Sequence, residues 1–266
     1  MSKFITGNRT ILEALELLKA EGFLDFHTYS EDWIIEFYKD EIHRYIFGYQ
    51  FDINSQACSA IAQDKVATHL LLKDNNVSSV PHFLLSTVTR PDIQSTQLED
   101  LFKKYSSLVI KPTHGYRGEN IKLCKNADEV LEFTSRKLVS SWSASPFVDI
   151  NREIRIVVSN EEARIVYEKS DPNTKDGLKM FNLNLGAKAS FIDLSSIDSK
   201  LLDLSKQAIN TVGLKIGAVD IVIDNKNNAS VLEINSGFAL DHFAESSEEN
   251  REKVISFYKE LIKGLF

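Results

Sequence analysis

Apolar positions change period several times along the chain. From Thr10 to Ala20, Ile11, Leu12, Ala14, Leu15, Leu17 and Leu18 recur at helical spacing, with Glu13, Glu16 and Lys19 between them and Gly22 as a stop. The spacing predicts an amphipathic helix. Between Tyr29 and Gln50, two runs rich in aromatic and β-branched residues flank Lys39-Asp40-Glu41 and predict a hairpin. Helices are expected from Ala57 to Ile61, Asp64 to Lys73, Gln97 to Lys104, Ala127 to Lys137, Ser199 to Val212 and Glu248 to Leu265. Short strands are expected from Val80 to Leu85, with Pro81 at its start, from Ser107 to Lys111 and from Ile121 to Cys124, then from Ser145 to Ile150, Glu153 to Val158 and Ala163 to Lys169. The polar, turn-rich stretch Ser170 to Leu185 is the kind of segment that often stays mobile until a ligand arrives. Hairpins outnumber β-α-β alternations, so the expected class is α+β.

The last hairpin carries the first chemical signal. Gly217 to Asp224 and Ala229 to Asn235 read as strands joined by Asn225-Lys226-Asn227-Asn228. A fold about the Lys226/Asn227 midpoint sets Asp220 opposite Glu233, with Asn235 on the same face and Ile221, Ile223, Leu232 and Ile234 on the other. Opposed residues lie about 5 Å apart between Cβ atoms, so two such carboxylates call for a proton or a cation between them. Three oxygen-bearing side chains also suit Mg²⁺ (or Mn²⁺), a hard ion that shares its ligands with phosphates.

Composition narrows the class. The 266 residues are 43% hydrophobic and 26% charged, enough for one large or two to three small domains with a substantial core. A formal charge of −7 gives no overall basic field for nucleic acid or anionic lipid, so a small partner is expected, with neither nucleic acid nor membrane. Cys58 and Cys124 form no disulfide framework or metal spacing. No apolar run reaches the roughly 18 residues of a membrane span, and Met1-Ser2-Lys3-Phe4 does not begin a secretory signal, so a cytoplasmic location is expected.

Val109 to Ile121 reads as strand, glycine loop, strand. Gly115 and Gly118 allow backbone N–H groups to approach phosphate, Lys111 supplies a point charge at the strand end, and Arg117 lies within reach. No Gly-Lys-Ser/Thr is present, so the loop fits a hairpin flap better than a Walker A loop. Arg155, on an apolar strand, requires an acidic partner if it points inward. In chain order the set runs Asp64-Lys65, Lys111 with its loop, Glu153-Ile154-Arg155, Lys169, Asp220, then Glu233-Ile234-Asn235.

That ordered set resembles the ATP-grasp superfamily, in particular its carboxylate-amine ligases of the ribosomal-modification and D-alanine–D-alanine ligase-like branches, over about Asn54 to Leu240. The resemblance implies an ATP site between two α+β subdomains and reaction through an acyl phosphate. It implies that Lys65 and Lys111 contact ATP, that Gly115 to Gly118 form the phosphate flap, and that the connector at Pro146 and Val148 pairs its backbone with adenine. Glu153 would hold the ribose, and Arg155 and Lys169 would meet phosphate or substrate. Asn182 or Asn184 would lie near the γ-phosphate, with Lys188 beside them, and Asp220, Glu233 and Asn235 would form the metal set. Where family members commonly place proline soon after Glu-x-Asn, this chain has Ser236-Gly237-Phe238, which puts substrate specificity in question.

The expected organisation is a shortened N-terminal α/β region (1–55), a central subdomain with the flap (56–144) and a C-terminal subdomain with the metal site (145–266). The leading functional expectation is an ATP-dependent ligase joining a carboxylate and an amine, small molecules or peptides. A kinase of the same fold and a non-catalytic nucleotide-binding module are the alternatives, and a homo-oligomer stays open.

Overall fold

The computed structural model describes residues 8–85, 91–115, 119–135, 139 and 141–266, and the backbone alone of 91–95. Arg117 and Gly118 of the expected flap lie outside the described residues. The chain opens with helix α1 (Arg9–Ala20) and an antiparallel four-stranded meander, β1 (Asp25–Tyr29), β2 (Ile34–Lys39), β3 (Ile42–Phe47) and β4 (Gln50–Phe51). The predicted hairpin is thus the middle of a larger sheet. Asp40, at φ +52°, turns β2 into β3 in the left-handed region that Asp tolerates better than most residues.

Two helices follow, α2 (Gln56–Gln63), capped by Ser55, and α3 (Lys65–Asp74), whose first turn is capped by Asp64 through Val66 N and Ala67 N at 2.8 and 3.0 Å. Next come β5 (Phe83–Leu85), α4 (Pro91–Lys104), β6 (Leu108–Pro112), β7 (Lys122–Cys124), α5 (Ala127–Ser135) and β8 (Trp142–Pro146). These strands form a second antiparallel sheet in the order β5-β8-β6-β7. Helix α4 is longer than expected because it starts on Pro91, a residue suited to the first helical position.

A third sheet dominates the rest. It comprises β9 (Ile150–Ser159), β10 (Glu162–Ser170), β13 (Lys188–Phe191), β14 (Ile216–Asp224) and β15 (Ala229–Asn235), in the order β13-β10-β9-β14-β15. Between β10 and β13 lie a small hairpin, β11 (Asn173–Lys175) with β12 (Leu178–Met180), and a 3₁₀ turn at Leu183–Leu185. The stretch expected to be mobile is therefore folded in part, its reversal eased by Asp176 and Gly177 at φ +51° and +81°. The strands expected at 145–150 and 153–158 are redistributed. Pairing in β8 stops at Pro146, which has no N–H to donate, and β9 begins at Ile150 and runs unbroken for ten residues. Helices α6 (Ser199–Val212), α7 (Asp241–Ala244) and α8 (Glu248–Lys263) complete the chain.

The large sheet is buried on both faces, unequally. On one face Ile154, Ile156, Val158, Val219, Ile221, Val231 and Ile234 pack under α2, α3 and α6. On the other, Val157, Ile165, Tyr167, Ile216 and Ala218 pack against α1, the meander, α7 and α8. The N-terminal sheet, α1 and the C-terminal helix therefore share one core. The rest of that second face is charged, since Glu153, Arg155, Lys169 and Asp220 alternate with the apolar residues of the first. The sheet built around β6 keeps a separate core with α4 and α5, including Ile110, Ala144 and the fully buried Trp142.

Candidate active site

Register places the charged side chains. Tyr167 pairs with Arg155, Arg155 with Asp220, and Asp220 with Glu233, so these four residues form one row across four strands. Lys169 pairs with Glu153 one step along. The expected opposition of Asp220 and Glu233 is observed, by a different route. The turn closes at Asp224 and Asn228, half a residue earlier than the predicted midpoint, and a bulge leaves Leu232 unpaired between Asp220↔Glu233 and Ile221↔Val231. Val231, not Leu232, fills the apolar face.

The opposed carboxylates do not by themselves require a metal. Arg155 donates from Nε and Nη2 to the two oxygens of Asp220, each at 2.6 Å, and Lys169 Nζ approaches Asp220 Oδ2 at 2.9 Å. Arg155 thus has the acidic partner that its apolar strand demanded. The Asp220 side chain is 1% exposed. Burial alone would push its carboxyl up, but Arg155 and Lys169 outweigh it and hold the group well below the usual carboxylate range. Lys169 also donates to Glu153 Oε1 at 2.5 Å. Burial, against the pull of Lys169, raises the Glu153 carboxyl. Burial and the adjacent Arg155 oppose the charge of Lys169, and Asp220 with Glu153 raises its pKa nonetheless.

Glu233 is the carboxylate left open. Its one side-chain hydrogen bond among the described residues is a long one, 3.4 Å from Asn235 Nδ2. Glu233, the oxygen of Asn235 and the remaining lone pair on Asp220 Oδ1 form a hard, oxygen-rich donor set of the kind Mg²⁺ takes together with phosphate oxygens. No group of three His, Cys, Asp or Glu side chains suited to a metal occurs among the described residues, so the set depends on the amide.

The other wall is the sheet of β6. Lys111, Ser143 and Leu84 are in register on the face away from its core, with Ser145 and Val109 beside them. Lys111 is 8% exposed, and while its carbonyl accepts from Ser143 Oγ at 3.3 Å, its ammonium has no hydrogen bond or ion pair among the described residues. Burial, then the like charge of Lys65, lowers its pKa to about 8, while Glu233 and Glu153 pull it back. A buried ammonium is costly unless it is paired, and here the carboxylates of Glu233 and Glu153 act on it only at a distance. Lys65 Nζ donates to Gly115 O at 3.2 Å, and Lys65 N to Thr113 O at 3.3 Å, so the start of α3 is fastened to the root of the flap.

The remaining expected residues are placed less directly. Pro146 ends β8 and Val148 lies in the irregular link to β9, its backbone unpaired among the described residues. Asn184 is exposed on the 3₁₀ turn, Asn182 is spent capping that turn through Asn184 N, and Lys188 pairs with Asp171 at 2.8 Å. Among the described residues no hydrogen bond or ion pair ties the side chains of these three to the charged row, although Lys188 lies in the ladder beside Lys169, opposite Ser170. His82 was not singled out by the sequence. It is 3% exposed, near Lys111 and Lys65, and its imidazole is held well below its usual pKa by burial and those cations. The only signal was a histidine at the start of a short apolar strand.

Lys111 on one antiparallel sheet, with Lys65 beside it, and carboxylates interleaved with Arg155 and Lys169 on the other make the charge pattern that a nucleotide clamp would use. The model of the RimK-like ATP-grasp domain matches residues 62–257. The chain belongs to the RimK-like ATP-grasp family. It is similar in structure to D-cycloserine synthetase DcsG, at 17% identity over 76% of this chain and 70% of that one, with a TM-score of 0.59. It is similar to the D-alanine–D-alanine ligase from Bacillus anthracis, at 13% identity over 79% and 71%, TM-score 0.57. It is also similar to the ATP-grasp ligase PsnB complexed with minimal precursor, at 15% identity over 77% of this chain, TM-score 0.55. The chain spans 62% of PsnB's length. At these identities the shared property is the ATP-grasp fold. No curated protein matches the chain. The N-terminal helix and meander precede the residues that the family model covers.

Proposed function

We propose that the chain is an ATP-dependent ligase that joins a carboxylate to an amine through an acyl phosphate. The observation that carries this reading is the Arg155–Asp220–Glu233 row, with Lys169 bonded to it one step along, together with the buried Lys111, whose ammonium has no ion pair among the described residues. Lys111 and Lys65 receive the phosphates of ATP, and the free backbone of Val148 pairs with adenine. Glu233, Asn235 and Asp220 would hold Mg²⁺, which supplies charge neutralisation at the phosphates. A carboxylate is a poor electrophile, and transfer of the γ-phosphoryl group to it creates a good leaving group for attack by the amine. The side chains align the reactants and neutralise charge, and no nucleophilic residue is needed. Arg155 and Lys169, already fixed by Asp220 and Glu153, offer their remaining N–H groups to the transferring phosphoryl or to the substrate carboxylate. Asn184 would lie beside the γ-phosphate. No helix among the described residues is long and apolar enough to cross a membrane.

The test is incubation with MgATP and a panel of amino acids and peptides. Formation of ADP, phosphate and an amide in equal amounts supports the ligase. A stable phosphorylated product supports a kinase instead, and tight nucleotide binding with no ADP formed across the panel supports a non-catalytic module.

A further inference from the structure

The outer face of the N-terminal meander has no part in the nucleotide clamp. Register puts His27, Glu36 and Tyr45 in one row of that face, and Tyr29, Ile34 and Phe47 in the next. Tyr29, Tyr45 and Phe47 are 44%, 46% and 57% exposed, an unusual concentration of large rings on open sheet. At its centre Glu36 accepts hydrogen bonds from Tyr29 Oη at 2.9 Å and Tyr45 Oη at 3.2 Å, with His43 Nδ1 at 2.8 Å. These bonds, His43 first, hold its carboxyl below the ordinary range and keep it ionised.

Two further observations give the face a direction and a sign. The rings continue through Phe47 to Trp33 and Tyr49, with centroids 5.3 and 6.5 Å from that of Trp33. The turn bearing Tyr49 and Gln50 lies against Gly237, where an added Cβ would meet Gln50 Cγ at 2.5 Å, and Gly237 is two residues beyond Asn235. The aromatic face therefore leads to the end of the strand that carries Glu233. The same segment is strongly acidic: residues 25–52 hold seven Asp and Glu against one Lys and one Arg, a balance of −5 in a chain whose total is −7.

We propose that this face docks a basic, extended segment of a polypeptide substrate and leads it toward the charged row. Exposed tyrosines around the ionised Glu36, on a segment of net negative charge, attract lysine and arginine through the faces of their rings and through the net field. An acidic or uncharged segment gains neither. The proposal names the substrate class of the ligase reading and rests on it for the purpose of docking, while the binding itself stands apart from catalysis.

Fluorescence anisotropy on the full chain with a labelled 12-residue peptide of alternating Lys and Leu, and with its Glu and Leu counterpart, tests it. The basic peptide should bind, weaken as salt rises, and lose at least tenfold in affinity in Tyr45→Ala and in Glu36→Gln. Both variants should keep the wild-type affinity for ATP. Equal binding of the two peptides, or unchanged binding in both variants, overturns the proposal. So does a concentration-dependent dimer that Tyr45→Ala abolishes, since the occupant would then be a second copy. Basic-peptide binding without ADP formation on any substrate would retain the docking surface and refute the ligase. ADP formation with no preference for basic peptides would do the reverse.

Discussion

Arg155 and Asp220 face one another on adjacent strands and share two hydrogen bonds of 2.6 Å, the guanidinium fork matched to both carboxylate oxygens. This pair sets the electrostatics of the site. It neutralises the more buried of the two opposed carboxylates and leaves Glu233 as the one with capacity for a cation.

Loss of Glu233 should therefore separate chemistry from folding. Glu233→Ala is expected to lower ADP formation by a factor on the order of 10³, with the melting temperature and circular dichroism of the parent. Turnover near that of the parent would remove Glu233 from the metal set.

Arg155→Met should act on stability. It strands Asp220, 1% exposed, with Lys169 as its remaining cation, and a cost of about 3–5 kcal/mol is expected on urea denaturation. Because the Asp220 carboxyl lies below its unfolded value, its contribution is present above that unfolded value, near 4, and is lost as pH falls toward the folded one. The stability gap between parent and Arg155→Met should therefore narrow in acid.

Lys111 should make nucleotide affinity depend on pH. With the ammonium titrating at about 8, the free protein carries the charge below that pH and loses it above. ATP affinity, measured by calorimetry, should fall as pH rises through about 8, up to about tenfold per unit. Lys111→Ala should weaken binding at neutral pH and flatten that profile. An unchanged profile would place the phosphates elsewhere.

Gly237→Ala tests how the meander is seated. The new Cβ would clash with Gln50 Cγ at 2.5 Å and sit tightly against the Tyr49 carbonyl carbon at 3.3 Å. Overpacking of this kind costs about 1–3 kcal/mol, and a melting temperature several degrees lower is expected. A melting temperature equal to the parent's would show that the turn moves freely from Gly237.

The α+β class, most helices, and the ordered set from Lys65 to Asn235 were legible in the chain because they rest on local periodicity and residue chemistry. The opposition of Asp220 and Glu233 was legible for an incomplete reason. A turn centred on Lys226 alone would set Asp220 against Leu232, and the bulge restores the pairing with Glu233. Strand β13 escaped notice because four residues at the edge of a sheet take their order from β10, not from their own pattern. His82 escaped because its burial depends on packing far away in sequence.

The sequence by itself determined which residues carry oxygen, which carry positive charge and in what order they come, since side-chain chemistry and short-range periodicity are properties of the chain. Only the tertiary structure decided which of them meet. Arg155 and Lys169 reach Asp220 across strands that are 65 and 51 residues away along the chain. Likewise, the N-terminal meander shares a core with the C-terminal helix, because burying one apolar sheet face required surface from both ends.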